Sequence, residues 1–130
     1  MASLNKVMVI GRLGRDGELR YNENGNPRIS FSLAVDERRK TQAGEWETYA
    51  EWFNIVMMGD RAETLAQYLL KGKMVYVEGR LSTRSWEKDG EKHYRTEVIA
   101  RDIQLLSPRD ADLQQPRATR ESREDLPFED

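Results

Sequence analysis

A single stretch of helical periodicity interrupts a chain otherwise patterned as strands, and this constrains the fold more than any other feature. From Asp60 onward Ala62, Leu65, Ala66 and Leu69 recur at the spacing of one helix face. Asp60 and Glu63 are spaced as a capping box, and Gly72 is placed to end the helix. Parallel sheets need a crossover, usually helical, between each pair of strands. One helix cannot supply them, so the strands must pair largely antiparallel.

The strands can be read individually. "NKVMVIGRL" is a short apolar run punctuated by glycines at 11, 14 and 17, and "ELRY" resumes it before the turn "NENGNP". In "PRISFSLAVDE", Ile29, Phe31, Leu33 and Val35 alternate with Arg28, Ser30, Ser32 and Ala34, the mark of a half-buried strand. "RRKTQAGE" reads as a polar, flexible connection and "WETYAEWFNIVMM" as a long third strand. Beyond the helix, "KMVYVEGRLSTRSW" and "HYRTEVIARDIQLL" form a fourth and fifth strand around a turn centred on Asp89-Gly90. Three strands, a helix and two strands fit an all-β, five-stranded Greek-key barrel of the OB type, with its helix between strands three and four. SH3-like barrels and an open antiparallel sheet are the alternatives.

The alternation ends near Leu106. Residues 107–123 carry too few apolar groups to offset the entropy of ordering and read as a disordered linker, with 124–130 a short acidic motif. The expected division is therefore a barrel over 1–106, a linker and a tail.

Charge is distributed in the same way. The net charge is −2, yet residues 1–120 sum to +2 and residues 121–130 to −4. The acidity belongs to the tail, and the body is free to present a basic face. There is no cysteine and only one histidine, His93, which argues against thiolate chemistry and zinc hydrolysis. No phosphate-binding GxxxxGK[ST] loop occurs, and "GRDG" at Gly14 to Gly17 lies between strands and reads as a turn. The carboxylates are interspersed with Lys and Arg, as on a solvated surface, so no cofactor, metal or catalytic residue is expected. The apolar run Val7 to Ile10 is far shorter than a signal-peptide core or a membrane span, and a cytoplasmic protein is expected.

The third strand carries large apolar groups on both faces, with Trp46, Trp52, Val56 and Met58 on one and Phe53, Ile55 and Met57 on the other. In the fourth, Tyr76, Arg80, Arg84 and Trp86 share a parity opposite to Val75, Val77 and Leu81. Aromatic rings interleaved with arginines suit unpaired nucleic-acid bases, which stack while guanidinium groups follow the phosphates. The same pattern also suits core or subunit contacts, and His93 reads as an exposed bystander.

"NKVMVIGRLGRDGELRY", "EWFNIVMMGDRAETLAQYLLKGKMVYVEGRL", "TRSW" and "YRTEV", in this order and spacing, resemble the bacterial single-stranded DNA-binding protein family over about residues 4–106. The resemblance implies an OB-fold protomer, a homotetramer, sequence-independent binding of single-stranded DNA and no catalysis. The family's stacking tryptophans correspond to Trp52 and Trp86. A third stacking aromatic falls at Met58, which supplies no ring, and a fourth at about Arg39. Arg39 can meet a base or a phosphate, and Trp46, sharing parity with Trp52, can compensate. Lys6, Arg20, Lys71 and Arg84 are carried over as basic positions facing phosphate. Asn54 and Asp60 stand where a basic residue is often found, which implies a shallower salt dependence.

In this family an acidic segment with Pro-Phe docks on replication, recombination and repair proteins. Asp125, Leu126, Pro127 and Phe128 correspond to it, although Glu129 and Asp130 follow the phenylalanine here. Phe128 would fill a small pocket, Pro127 would limit the entropy lost, and the acids would steer toward basic rims. An RNA-binding or accessory OB module, and a scaffold whose tryptophans are subunit contacts, are the competing readings.

Overall fold

A computed structural model of the protein describes residues 2–107. The linker beyond Ser107 and the tail, including Asp125 to Phe128, lie outside the described residues. Six strands and one helix follow in the order β1 (Val7–Leu13), β2 (Glu18–Tyr21), β3 (Pro27–Lys40), β4 (Trp46–Met58), α1 (Asp60–Ala66), β5 (Met74–Lys88) and β6 (Glu91–Leu105). β1 and β2 are the two halves of the expected first strand, parted by the turn at Gly14 to Gly17. The count of five barrel strands therefore holds.

The strands close on themselves. β1 pairs with β5, β5 with β6, β6 with β4, β4 with β3, and β3 returns to β1 through Arg12↔Ala34 and Leu13↔Leu33. All pairings are antiparallel except β4 with β6, which meet in parallel at Ile55↔Val98 and Val56↔Ile99. This is the five-stranded OB barrel, closed, and it excludes the open-sheet alternative.

Alternation along each strand sends one set of side chains inward. Ile29, Leu33, Ile55, Val75, Val77, Val98 and Ile103 are almost completely buried, with Phe31 and Met57 beside them. Each such side chain contributes about 1.5–3 kcal/mol through the area it removes from water. Where β5 bends, the register with β6 shifts between Glu78 and Gly79. A Cβ at Gly79 would lie 2.1 Å from the Ile99 carbonyl oxygen, so only glycine permits this approach.

The helix packs on β2, β3 and β4, with Ala62 and Leu65 buried. Two details depart from expectation. Its N-cap is Gly59, with no side-chain cap bond, and Asp60 is already the first helical residue, so the capping box does not form. Asp60 and Glu63 instead place negative charge in the first turn, against the positive end of the helix dipole. The helix also ends at Ala66, before Gly72. Leu69 remains buried in the following turns, its N–H directed at the Leu65 and Ala66 carbonyls.

The expected flexible connection after the second strand is in part strand, since Arg38 to Lys40 continue β3. β3 and β4 stay paired out to Lys40↔Trp46, and only residues 41–45 turn. β5 and β6 likewise stay paired to Lys88↔Glu91, closed by Asp89 and Gly90 with φ of 55° and 79°. Positive φ at both central residues is what a type I′ hairpin requires, and "DG" is its usual sequence. Two ribbons thus project from the barrel. Among the described residues no helix is long and apolar enough to cross a membrane.

Candidate nucleic-acid interface

Strand pairing determines which residues share the barrel's outer face. Cross-strand partners in β3 and β4 are Ala34↔Trp52, Ser32↔Asn54 and Arg28↔Met58, with Asp36↔Ala50, Arg38↔Thr48 and Lys40↔Trp46 continuing into the ribbon. β6 lies on the other side of β4, and β5 beyond it pairs Arg84↔Arg95 and Trp86↔His93. Trp52 and Trp86 therefore stand on a continuous surface with polar and cationic side chains between them.

Trp52 is 57% exposed, and the backbone of the β1–β2 turn approaches its ring. A Cβ at Gly14 would sit 2.6 Å from Trp52 Cζ3, so the absence of a side chain at Gly14 makes room for the ring. Trp86, 41% exposed, stacks on His93 with centroids 5.7 Å apart and planes inclined by 22°. The Arg84 guanidinium lies 5.3 Å from the Trp86 ring centroid. His93 is thus a support for Trp86 and not a bystander.

Between the two tryptophans lies a cationic cluster. Asn54 donates to the Thr96 carbonyl at 3.4 Å and accepts from Arg95 Nη2 at 3.1 Å. A guanidinium therefore sits over the neutral Asn54, restoring positive charge where the sequence pattern implies its loss. Arg28, Arg84 and Arg95 converge on the Glu97 carboxylate at 3.8, 3.3 and 3.5 Å. Beside this cluster a hollow of about 340 Å³ is lined by Arg15, Asp16, Ser30, Ser32, Asn54 and Arg95. Its hydroxyl and amide groups offer both donors and acceptors.

The other expected residues are dispersed. Met58 is exposed at the end of β4, opposite Arg28. Trp46, 61% exposed, lies on the same ribbon face as Trp52 with the Arg38 guanidinium 4.9 Å from its centroid. Six residues separate the two tryptophans, about 20 Å along a strand. Arg39 alternates to the opposite ribbon face, paired with Glu47 at 2.9 Å and stacked 4.6 Å from the Tyr49 centroid. Arg20 is exposed and paired with Glu18. The Lys71 backbone N–H donates to Asp16 Oδ1 at 2.8 Å, which ties the segment after the helix to the β1–β2 turn.

Lys6, just before β1, belongs to a second network that reaches across β5 to β6. Its Nζ lies 3.8 Å from Glu78, which also pairs with Arg101 and accepts from the Tyr76 hydroxyl at 2.9 Å. The Arg101 bond, followed by that from Tyr76, holds the Glu78 carboxyl below its ordinary value. The same contact with Glu78, joined by desolvation, pushes the Tyr76 phenol up. Met8 and Ile10, cross-strand partners of Glu78 and Tyr76, are exposed alongside.

The residues not anticipated from sequence are Gly14, Arg28, Arg95 and Glu97. The alternation "RTE" puts Arg95 and Glu97 on one face, and Arg28 lies on the polar face of its strand. Their convergence depends on the parallel β4–β6 pairing, which no local pattern encodes. Among the described residues no group of His, Cys, Asp and Glu is arranged to hold a metal ion.

A closed Greek-key barrel with one helix and two long projecting ribbons defines this chain as an OB-fold protein. It belongs to the single-strand binding protein family, whose profile matches residues 4–106. It is 46% identical over 110 residues to single-stranded DNA-binding protein 1 of Chlorobaculum tepidum, covering 83% of this chain and 68% of that protein. Among solved structures, Plasmodium falciparum SSB in complex with ssDNA superposes with a TM-score of 0.76 at 32% identity, covering 82% of this chain and 98% of that one. A deletion mutant of the Thermus aquaticus single-stranded DNA binding protein gives 0.73 at 34% identity, covering 82% of this chain and 52% of that one.

Proposed function

We propose that this protein binds single-stranded DNA without sequence preference and performs no catalysis. The observation that carries the reading is the outer surface on which Trp52 and Trp86 flank three arginines that share one carboxylate. Each exposed ring offers a π-face worth about 1–3 kcal/mol per stacked base. The cluster retains two positive charges for the phosphates. Family membership and the complex of the Plasmodium falciparum relative with ssDNA support the same reading.

Around this activity the protein assembles as a homotetramer, and the exposed Met8 and Ile10 on β1 supply apolar surface for a subunit contact. It coats and protects single strands during replication, recombination and repair, in the cytoplasm at the nucleoid. The acidic segment with Asp125, Leu126, Pro127 and Phe128 recruits partner enzymes, its charge contrasting with the body in the sense needed to seek basic pockets. Among the basic residues expected to meet phosphate, Arg84 is the best placed. Its guanidinium lies beside the Trp86 ring, and the cluster in which it shares Glu97 keeps a surplus of cations, whereas Arg20 is matched one to one by Glu18.

Titration with unstructured oligo-dT, following tryptophan fluorescence at two salt concentrations with duplex of equal length as control, tests the function. Quenching by the single strand alone, weakened by salt, is the expected result. Absence of binding would assign the aromatic face to protein contacts.

A further inference from the structure

Glu97 is the only charged side chain fully buried among the described residues, 5% exposed. It lies on β6, yet its carboxylate collects guanidinium groups from three strands. Arg84 Nε of β5 approaches Oε1 at 3.3 Å, while Arg95 Nε of β6 and Arg28 Nη2 of β3 approach Oε2 at 3.5 and 3.8 Å. Arg28 reaches past β4 to do so.

One arginine would compensate a buried carboxylate. Three over-neutralise it, and the surplus is at the surface, because the arginine side chains are 36%, 52% and 45% exposed. Three guanidinium groups also carry many more donors than the roughly four lone-pair sites of one carboxylate can use. The unused donors face solvent on the surface that holds Trp52 and Trp86. Like charges do not converge unless something holds them, and Glu97 is the group at their centre. Asn54 adds a second fixed point for Arg95, at 3.1 Å.

We propose that Glu97 is a positioning residue: its buried carboxylate gathers Arg28, Arg84 and Arg95 into one preorganised cluster that receives a backbone phosphate of the bound strand. The proposal deepens the single-strand reading above and rests on it. Glu97 touches no DNA. It gives up one unit of positive charge in exchange for fixed donor geometry, which is the component of binding that salt does not screen.

Salt separates geometry from charge, so the test is the binding of oligo-dT by the full chain from low to high salt, comparing wild type with Glu97→Gln and Glu97→Asp. Glu97→Gln frees one net positive charge but lets the guanidinium groups splay. Its log–log salt slope is expected to steepen by about 0.7, while its affinity at high salt falls about tenfold. Glu97→Asp keeps the charge but shortens the reach; it is expected to keep the wild-type slope and still lose affinity at high salt. If the Gln variant does not fold, the Asp variant decides alone.

A loss in Glu97→Gln with an unchanged slope would mark Glu97 as merely structural and overturn the proposal, as would wild-type affinity in Glu97→Asp, or a loss there that comes with a lowered melting temperature. Tighter binding by Glu97→Gln at every salt, or no change in either variant, would overturn it as well. In those cases wild type still binds, and the function stands. Failure of wild type itself to prefer oligo-dT over duplex would remove both.

Discussion

The barrel's outer surface is built in two contrasting ways. On the side formed by β3, β4, β6 and the far half of β5, three arginines share a single carboxylate, and Trp52 and Trp86 stand exposed beside them. On the β1–β5 side, Glu78 engages Lys6, Tyr76 and Arg101, and the exposed groups between β1 and β5 are Met8 and Ile10. The first side leaves cation and π-face unspent. The second sets Lys6 and Arg101 against Glu78, a surplus of one against the two of the arginine cluster, and leaves apolar surface. One barrel thereby presents a face suited to a polyanion and another suited to a second protein chain, the two occupying different stretches of its outer surface.

The contrast predicts that lesions on the two faces separate cleanly. Trp52→Ala with Trp86→Ala removes both stacking platforms and should cost about 2–6 kcal/mol of single-strand binding. Assembly measured by sedimentation should be unchanged. Collapse of the oligomer in this variant would make the tryptophans subunit contacts and erase the distinction between the faces.

The reciprocal lesion is Ile10→Glu, which places a charge on the β1–β5 face. Burying it without a partner should cost on the order of 3 kcal/mol per contact and shift the assembly toward smaller species. The intrinsic affinity of each protomer for a short oligonucleotide should persist. An unchanged sedimentation profile would show that the face is not a subunit contact.

How far the two faces could be read in the sequence follows from what each depends on. The core strands were legible because burial imposes a period of two, as in Ile29, Phe31 and Leu33, and the hairpin because Asp89-Gly90 has the chemistry of its turn. The Trp52 and Trp86 positions were visible as aromatics out of phase with the buried set. The arginine cluster was not: Arg84 and Arg95 face each other across the β5–β6 hairpin, but Arg28 joins them only through the parallel β4–β6 contact. Lys6 failed to separate from the other cations for the same reason: its partner, Glu78, is a neighbour only across β1 and β5. The ribbon at Arg38 to Lys40 was hidden because exposed paired strands carry polar residues on both faces and resemble loops.

A smaller effect isolates one arm of the cluster. Arg95→Gln leaves Arg28 and Arg84 on Glu97, so the cluster falls from two surplus charges to one. Single-strand affinity should drop about three- to tenfold and the salt slope should shallow by about 0.7. The same change at Arg101, on the other face, should leave both quantities as they are. Equal effects from the two substitutions would mean that net charge and not placement governs binding.

The smallest effect is one of acidity, and it belongs to the β1–β5 face. Glu78 is held below its ordinary value by Arg101 and Tyr76. A carboxyl lowered on folding contributes stability that is fully present above its unfolded value, and the contribution is lost as pH falls through the lowered one. Glu78→Gln, which mimics the protonated form, should therefore melt below wild type at neutral pH. The gap should hold down to about pH 4.3 and close beneath it as Glu78 in the wild type takes up its proton. Thermal melts of both proteins across that range are the measurement. A gap that stays constant to about pH 2 would mean that shape, and not charge, is what Glu78 contributes. Closure at the expected pH would show that this face holds itself together by ion pairs that a subunit contact need not supply, in contrast to the arginine face, whose surplus charge awaits a ligand.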